Sequence, residues 1–302
     1  MLWNAACSFT ETLMEEPLVS VLLSSYNHEK YVEASVRSVM AQKGVSFELL
    51  VIDDGSTDSS PQILEDLSQE FGFFYKHREN KGLVTTLNEL ISLSHGKYFC
   101  TFASDDIMAP GRLVAESTFL ESHPDAPACA GQIVNMLPNG ALESSPDPRF
   151  GRAEEASFED ILLGNIELNG STEMIVKSKF AEVGFYDECF RFEDFPAWLA
   201  LSNRFGNIPI IKTVCSYYRV LPTSMHKNLN FIYAQILSVV DKYKMHPAYR
   251  KAVNLWKTRW FSSLAYDQKM EALRKLPELA NASLAFWTHF PKLFIPQRFL
   301  KY

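Results

Sequence analysis

The chain has 302 residues, 47% hydrophobic and 13% aromatic, enough to bury a real core as one large α/β domain with an appendage or as two modest domains. The mixed composition excludes a disordered chain, and a formal net charge of -7 gives no electrostatic reason to expect nucleic acid as a partner. Five scattered cysteines, odd in number and without C-x-x-C spacing, suggest neither a disulfide framework nor a zinc site and fit a reducing cytoplasm.

The opening MLWNAACSFTETLMEEP has no basic n-region and carries Glu11, Glu15 and Glu16 where a signal peptide would be apolar. No later run approaches the ~18 apolar residues of a spanning helix. The expected location is therefore cytoplasmic. PLVSVLLSSYN (17–27) is an apolar strand ending in polar residues, and EKYVEASVRSVMAQ then places Tyr31, Val32, Ser35, Val36, Val39 and Met40 on one helical face. The pattern repeats: SFELLVIDDGSTDSS is a strand and turn, PQILEDLSQEF a helix opened by Pro61, FFYKHREN a short strand, and LVTTLNELISLSH a helix. Gly96 is expected to stop that helix before the strand KYFCTFAS. Strands alternating with helices imply βαβ units and a mainly parallel sheet, with ligands outside the carboxyl ends of the strands.

Beyond Ile107 the alternation weakens. GRLVAESTFLESHP reads as a helix, APACAGQIVNML as a strand, and PNGALESSPDPRFGRAEEA as a Pro/Gly/Ser-rich loop. A helix SFEDILLG, a strand near STEMIVKS and a helix DFPAWLALSNRFG follow. From Asn228 the chain reads as helices, LNFIYAQILSVVDKYKM and AYRKAVNLWKTRWFSSLAYDQKMEALRKL, and no acidic residue follows Glu278.

Three strand ends carry polar clusters: Ser24-Ser25-Tyr26-Asn27, Asp53-Asp54-Gly55-Ser56-Thr57-Asp58 and Ser104-Asp105-Asp106. Each alone is also the composition of a capped turn. Their recurrence at successive strand ends, which a parallel sheet brings to one crevice, points to a site.

Together VSVLLSSYNHEKYVEASVRSVMAQ, ELLVIDDGSTDSS, ENKGLVTTLNELISLSHGKYFCTFASDD and FEDFPAWLAL, in that order over about residues 17–225, resemble the family 2 glycosyltransferases. The resemblance implies the Rossmann-like nucleotide-diphosphosugar transferase fold, with a catalytic domain over 17–227 and a helical extension over 228–302. It further implies an inverting enzyme that uses a nucleotide-activated sugar and a divalent metal, Mg²⁺ or Mn²⁺.

Carried onto this chain, it implies that Tyr26 stacks on the nucleotide base with Ser24 beside it, and that Asp54 accepts the base N–H. A carboxylate there suits the imide of uracil or thymine, hence a UDP- or dTDP-sugar. Asp53 is read as ordering the turn. Lys81, in the Asn80-Lys81-Gly82 loop, approaches the phosphates or is a solvated loop lysine. Asp106 binds the metal and Asp105 contacts ribose. The usual D-x-D has an acid where this chain has Ser104, which is read as sharing ribose recognition. Asp194 is the implied base for the acceptor hydroxyl, with Glu193 the alternative and a plain helix N-terminus the structural reading. Arg219 fits phosphate contact, and His226 is displaced from the family's usual histidine position.

The expected function is sugar transfer, with dTDP-L-rhamnose among the candidate donors. The acceptor is a glycan or lipid-linked glycan of cell-surface polysaccharide or lipopolysaccharide assembly. Two other readings stay open: a non-catalytic nucleotide-sugar-binding scaffold, and a sugar-phosphate nucleotidyltransferase, whose Gly- and Arg/Lys-rich phosphate loop LLSSYNHEKY lacks. The tail LAFWTHFPKLFIPQRFLKY mixes Phe286, Trp287, Phe290, Phe294 and Phe299 with Lys292, Arg298 and Lys301. That mixture suits an inner-membrane surface, or packing of its aromatics on the catalytic domain.

Overall fold

A computed structural model describes residues 16–221, 228–280 and 283–295. Its first part runs β1 (Val19–Ser25), α1 (Val32–Met40), β2 (Phe47–Asp53), α2 (Ser60–Phe71), β3 (Phe74–His77), α3 (Leu83–Leu93) and β4 (Tyr98–Ala103). β1 lies between β2 and β4, parallel to both, with β3 parallel outside β2. Ser25 therefore pairs with Asp53 and Ser24 with Ala103, which brings the three polar strand ends to one edge. Val21 and Leu23 pack into one cluster with Val36 and Leu64, whereas Leu22 packs into another with Leu87 and Leu90. This alternation along a strand covered on both faces explains the near-continuous apolar run.

The second part runs β5 (Ile107–Met108), α4 (Arg112–Ser122), β6 (Ala128–Met136), β7 (Glu155–Ala156), α5 (Phe158–Leu163), β8 (Glu173–Val176), α6 (Lys177–Glu182), α7 (Asp194–Phe205) and β9 (Ile208–Arg219). The sheet order is β3-β2-β1-β4-β8-β6-β9-β5, with β7 on β9. β8 enters antiparallel between β4 and β6, and β6 and β9 are parallel, so the long ladders are parallel around an antiparallel insert. Four helices close the described chain: α8 (Leu229–Asp241), α9 (Tyr249–Asp267), α10 (Lys269–Leu279) and α11 (Leu284–His289).

Three details differ from expectation. α3 ends at Leu93, capped by Ser94, whose hydroxyl donates to the Ile91 carbonyl at 2.8 Å. Gly96 instead serves a close approach, because a Cβ there would lie 2.6 Å from the Ser20 backbone nitrogen. The long helical stretch from Ala248 breaks at Gln268 (φ -140°, ψ 62°) into α9 and α10. α6 has no separate signal in the sequence.

The apolar cluster around Leu22 and Phe99 continues through Trp198 of α7 into Val239 of α8 and Trp256 of α9. The first half of the helical extension thus shares the core of the sheet, and the boundary expected at 227/228 falls beside residues 222–227, outside the described ones. A separate cluster of Trp260, Phe261, Leu264 and Phe286 holds α9, α10 and α11 together.

Candidate active site

Much of the polar sequence at the strand ends ties loops to each other. Asn27, at φ 54°, accepts from the Thr57 N–H at 2.8 Å and gives its own N–H to Ser56 Oγ at 2.8 Å. Glu29 donates its N–H to Asp58 Oδ2 and accepts that of Ser59, both at 3.0 Å. Asp53 accepts the Ser56 N–H at 2.8 Å and its hydroxyl at 2.6 Å, and Asp53 Oδ1 also meets His77 Nδ1 at 2.9 Å, which orders this turn. Gly55 (φ +84°) has no room for a side chain, since a Cβ would stand 2.7 Å from the Asn80 nitrogen.

Asp54, only 3% exposed, accepts from the Arg78 guanidinium and the Lys81 N–H (2.9 Å) on Oδ1, and from the Gly82 N–H (2.9 Å) on Oδ2. Of the roughly four acceptor positions of a carboxylate, about one remains, on Oδ2. The Lys81 side chain is exposed, as is Tyr26 at 49%, beside half-buried Ser24.

The Ser104-Asp105-Asp106 step follows β4. Asp106 is buried; Oδ1 accepts the Arg219 N–H at 2.7 Å, and Oδ2 has no partner. Burial, with the neighbouring Asp105 charge, raises its pKa well above the carboxylate range. Arg219 also donates from Nε to the Asp105 carbonyl at 2.7 Å, with its guanidinium 4.5 Å over the Tyr31 ring. Arg219 thus anchors the turn from β9. Ser104 is 1% exposed and its hydroxyl lies 2.8 Å from His28 Nδ1, so the group expected at the ribose is bound to an imidazole. His28 Nε2 in turn stands 4.0 Å from Asp105 Oδ2.

Glu193 caps α7 and Asp194 begins it. Gly170 backs them: a Cβ there would lie 3.0 Å from Asp194 Cβ and 3.4 Å from Glu193 Oε1. Burial raises both pKa values, that of Glu193 to about 8 with the help of the Asp194 and Glu173 charges. Glu173, fully buried, accepts from the Thr101 and Tyr186 hydroxyls at 2.6 Å each on Oε1, leaves Oε2 without a partner, and is pushed by burial to about 7. The Gly170–Glu173 segment is held by buried Arg112, which donates to the carbonyls of Ser171 (2.7 Å) and Glu173 (2.9 Å) and pairs with buried Glu116 at 2.8 Å.

Asp194 lines a cleft of about 190 Å³ walled by Phe150, Phe195, Trp198 and Trp256, with Asn169 at its side. Trp256 comes from the helical extension, donating its indole N–H to the Leu162 carbonyl at 2.8 Å. Arg259 adds bonds to the carbonyls of Leu163 (2.7 Å) and Gly164 (2.8 Å), capping α5. A larger cavity of about 320 Å³ lies behind α7 against α8 and contains none of the strand-end residues. Of the residues singled out from sequence, Ser24, Tyr26, Asp54, Lys81, Asp105 and Asp106 share the strand-end edge, and Asp194 stands at the start of α7 in the aromatic cleft, which is lined by none of the others. His226 lies outside the described residues. Sequence reasoning missed His28, Arg78, Glu173 and Trp256, all reached through contacts distant in sequence.

The α/β fold is that of the nucleotide-sugar transferases. Residues 20–169 match the family model of Glycosyl transferase family 2, and the chain belongs to that family. It is 26% identical over 265 residues to the Uncharacterized glycosyltransferase MJ1057 of Methanocaldococcus jannaschii, covering 84% of this chain and 89% of that protein. It is likewise 26% identical over 216 residues to the Putative teichuronic acid biosynthesis glycosyltransferase TuaG of Bacillus subtilis (70% and 83%). Among solved structures, S. aureus TarS 1-349 in complex with UDP-GlcNAc superposes with a TM-score of 0.63 at 16% identity, over 93% of this chain and 82% of that one.

Proposed function

We propose that this glycosyltransferase moves one sugar, with inversion, from a UDP- or dTDP-sugar to a glycan acceptor in polysaccharide assembly at the cytoplasmic face of a membrane. The observation that carries the reading is that Asp194 lines an aromatic cleft and is backed by Gly170, on the turn leading into Glu173, which accepts from Thr101 of β4, the strand that ends just before Asp105 and Asp106. Asp194 lines that cleft and Glu193 does not, which favours Asp194 as the base. The acceptor hydroxyl attacks the anomeric carbon, its proton passes to Asp194, and the bond to the nucleoside diphosphate breaks. A raised pKa brings the base closer to neutral, where proton transfer is efficient. Aromatic walls suit the apolar faces of an acceptor sugar.

The unpartnered Asp106 oxygen fits a divalent cation. Among the described residues no group of three or more His, Cys, Asp or Glu is placed to hold a metal alone, so Asp106, with Asp105 beside it, would share Mg²⁺ or Mn²⁺ with the donor's phosphates. The cation would supply charge stabilisation for the leaving diphosphate. The remaining acceptor position on Asp54, beside exposed Tyr26, suits the imide of uracil or thymine, and TuaG and TarS make a surface-polymer setting and a UDP-linked donor consistent with it.

The test is calorimetry of UDP-, dTDP- and GDP-sugars with and without Mn²⁺, followed by turnover of the donor that binds. Asp194→Ala is expected to bind that donor like the wild type while losing at least ~10²-fold in transfer. Unchanged turnover would remove Asp194 from the role of base, and preferential binding of GDP-sugars would remove Asp54 as an imide reader.

A further inference from the structure

The aromatic tail only partly packs on the protein. Phe286 is buried against Phe261, with ring centroids 4.7 Å apart, and holds α11 to α9. Its neighbours turn outward: Leu284 is 81% exposed, Trp287 54% and Phe294 73%. Trp287 and Phe294 are joined through Phe290. Trp287 meets Phe290 at 5.6 Å, Phe290 meets Phe294 at 5.9 Å, and the Lys269 ammonium donates to the Ile295 carbonyl, which brings the start of α10 and exposed Met270 alongside. Large apolar side chains grouped this way on a surface mark an interaction site.

The sequence of this region is net cationic. From Lys242 to Tyr302 the sequence has twelve Lys or Arg and three acids, Asp267, Glu271 and Glu278, a net +9 in a chain of net -7, so the remainder carries -16. Two of the three acids are already engaged, Glu271 with Asn230 (3.2 Å) and Arg274 (3.6 Å), and Glu278 with Lys275 (2.8 Å). Lys292, in the turn after α11, donates its ammonium to Ser262 Oγ of α9 at 2.9 Å. No described helix is long and apolar enough to cross a membrane, so any lipid contact made by these helices is interfacial.

We propose that the outward face of α10, α11 and the turn after it docks on an anionic lipid bilayer, with Leu284, Trp287 and Phe294 entering the headgroup region. Exposed aromatics supply the amphipathic rings that settle at that depth, and the cationic extension supplies attraction to anionic headgroups. A symmetric pairing of two copies through this face would bring two strongly cationic bodies together, which electrostatics opposes. The acidic remainder orients the molecule, because an anionic surface repels it while drawing the extension in.

The experiment is flotation of the full chain with pure phosphatidylcholine vesicles and with vesicles containing phosphatidylglycerol. Binding is expected only to the anionic vesicles, falling at least ~10-fold as salt is raised to about 0.5 M. The double substitution Trp287→Gln/Phe294→Gln is expected to abolish it while circular dichroism and donor binding stay as in the wild type. Independently of that variant, vesicles of brominated lipid should quench the wild-type tryptophan emission, and Trp287→Phe should remove the quenching. Absence of flotation with anionic vesicles, flotation of the double variant equal to wild type, or emission unaffected by brominated lipid would each overturn the assignment. A lipid-free dimer abolished by the double variant would assign the face to a second copy and equally overturn it.

Discussion

Glu173 has one carboxylate oxygen between two hydroxyl donors and the other buried without a partner. Its pKa, near 4.5 in an unfolded chain, stands at about 7 when folded. The folded state therefore binds the proton more tightly. The stability this confers is fully present below about pH 4.5 and is lost as pH rises through 7. Glu173→Gln, which cannot ionise, should match wild type in urea unfolding at low pH and exceed it by about 3 kcal/mol above pH 8. An equal difference at both ends of the range would mean that the carboxyl is not held neutral. The Glu193 and Asp194 pair, raised in the same direction, should give transfer an acid limb above the usual carboxylate range, read from the pH dependence of kcat/KM as a property of the pair. At this scale the sequence was most informative where side chains sit at strand ends. Asp54, Asp105 and Asp106 could be read because a parallel sheet carries consecutive strand ends to one edge. His28, Arg78 and Glu173 could not, because each gains its role from a partner the pattern of periods does not specify.

Arg112 and Glu116 stand four apart on α4 and would ordinarily be a solvated helix pair; here both are fully buried and Arg112 reaches across to the turn before β8. Breaking such a pair leaves a buried charge and two carbonyls without donors. Arg112→Leu should cost roughly 3–5 kcal/mol, measured by denaturant unfolding, with transfer lost more than donor binding because the segment it releases backs Asp194. Arg112→Met with Glu116→Leu should recover much of the stability and little of the transfer; no recovery in the double variant would show that the loss is not that of an unpaired charge. The elements from β1 to β4 were legible because apolar runs and helical faces alternate there with clear punctuation. The later ones were less so. β8 is a four-residue antiparallel insert, α6 is six residues long, and the break at Gln268 interrupts a continuous helical pattern. In each case packing, rather than local preference, sets the boundary.

The whole molecule is divided differently from its sequence pattern. The helical composition changes at Asn228, yet Val239, Ala252 and Trp256 belong to the same apolar cluster as Leu22 and Trp198, and Trp256 and Arg259 cap α5. Each large side chain in such a cluster contributes ~1.5–3 kcal/mol by burial, so exposing a handful costs about as much as the ~5–15 kcal/mol that holds a domain folded. A chain ended after Leu221 should therefore be insoluble or lack a cooperative thermal transition. A chain ended after Gln268 keeps that cluster and the caps while losing the packing of α10 and α11 on Trp260, Phe261 and Leu264 and a few bonds such as Asn230–Glu271 and Lys292–Ser262. It should remain folded with a lower Tm, bind nucleotide-sugar donor as the full chain does, and no longer float with anionic vesicles. Calorimetric melting and donor titration of the two truncations decide the matter: a cooperative, donor-binding chain ended at Leu221 would make the extension a separate domain, whereas its collapse beside a competent longer chain makes α8 and α9 part of the catalytic unit and leaves α10 and α11 as the portion free to meet a surface.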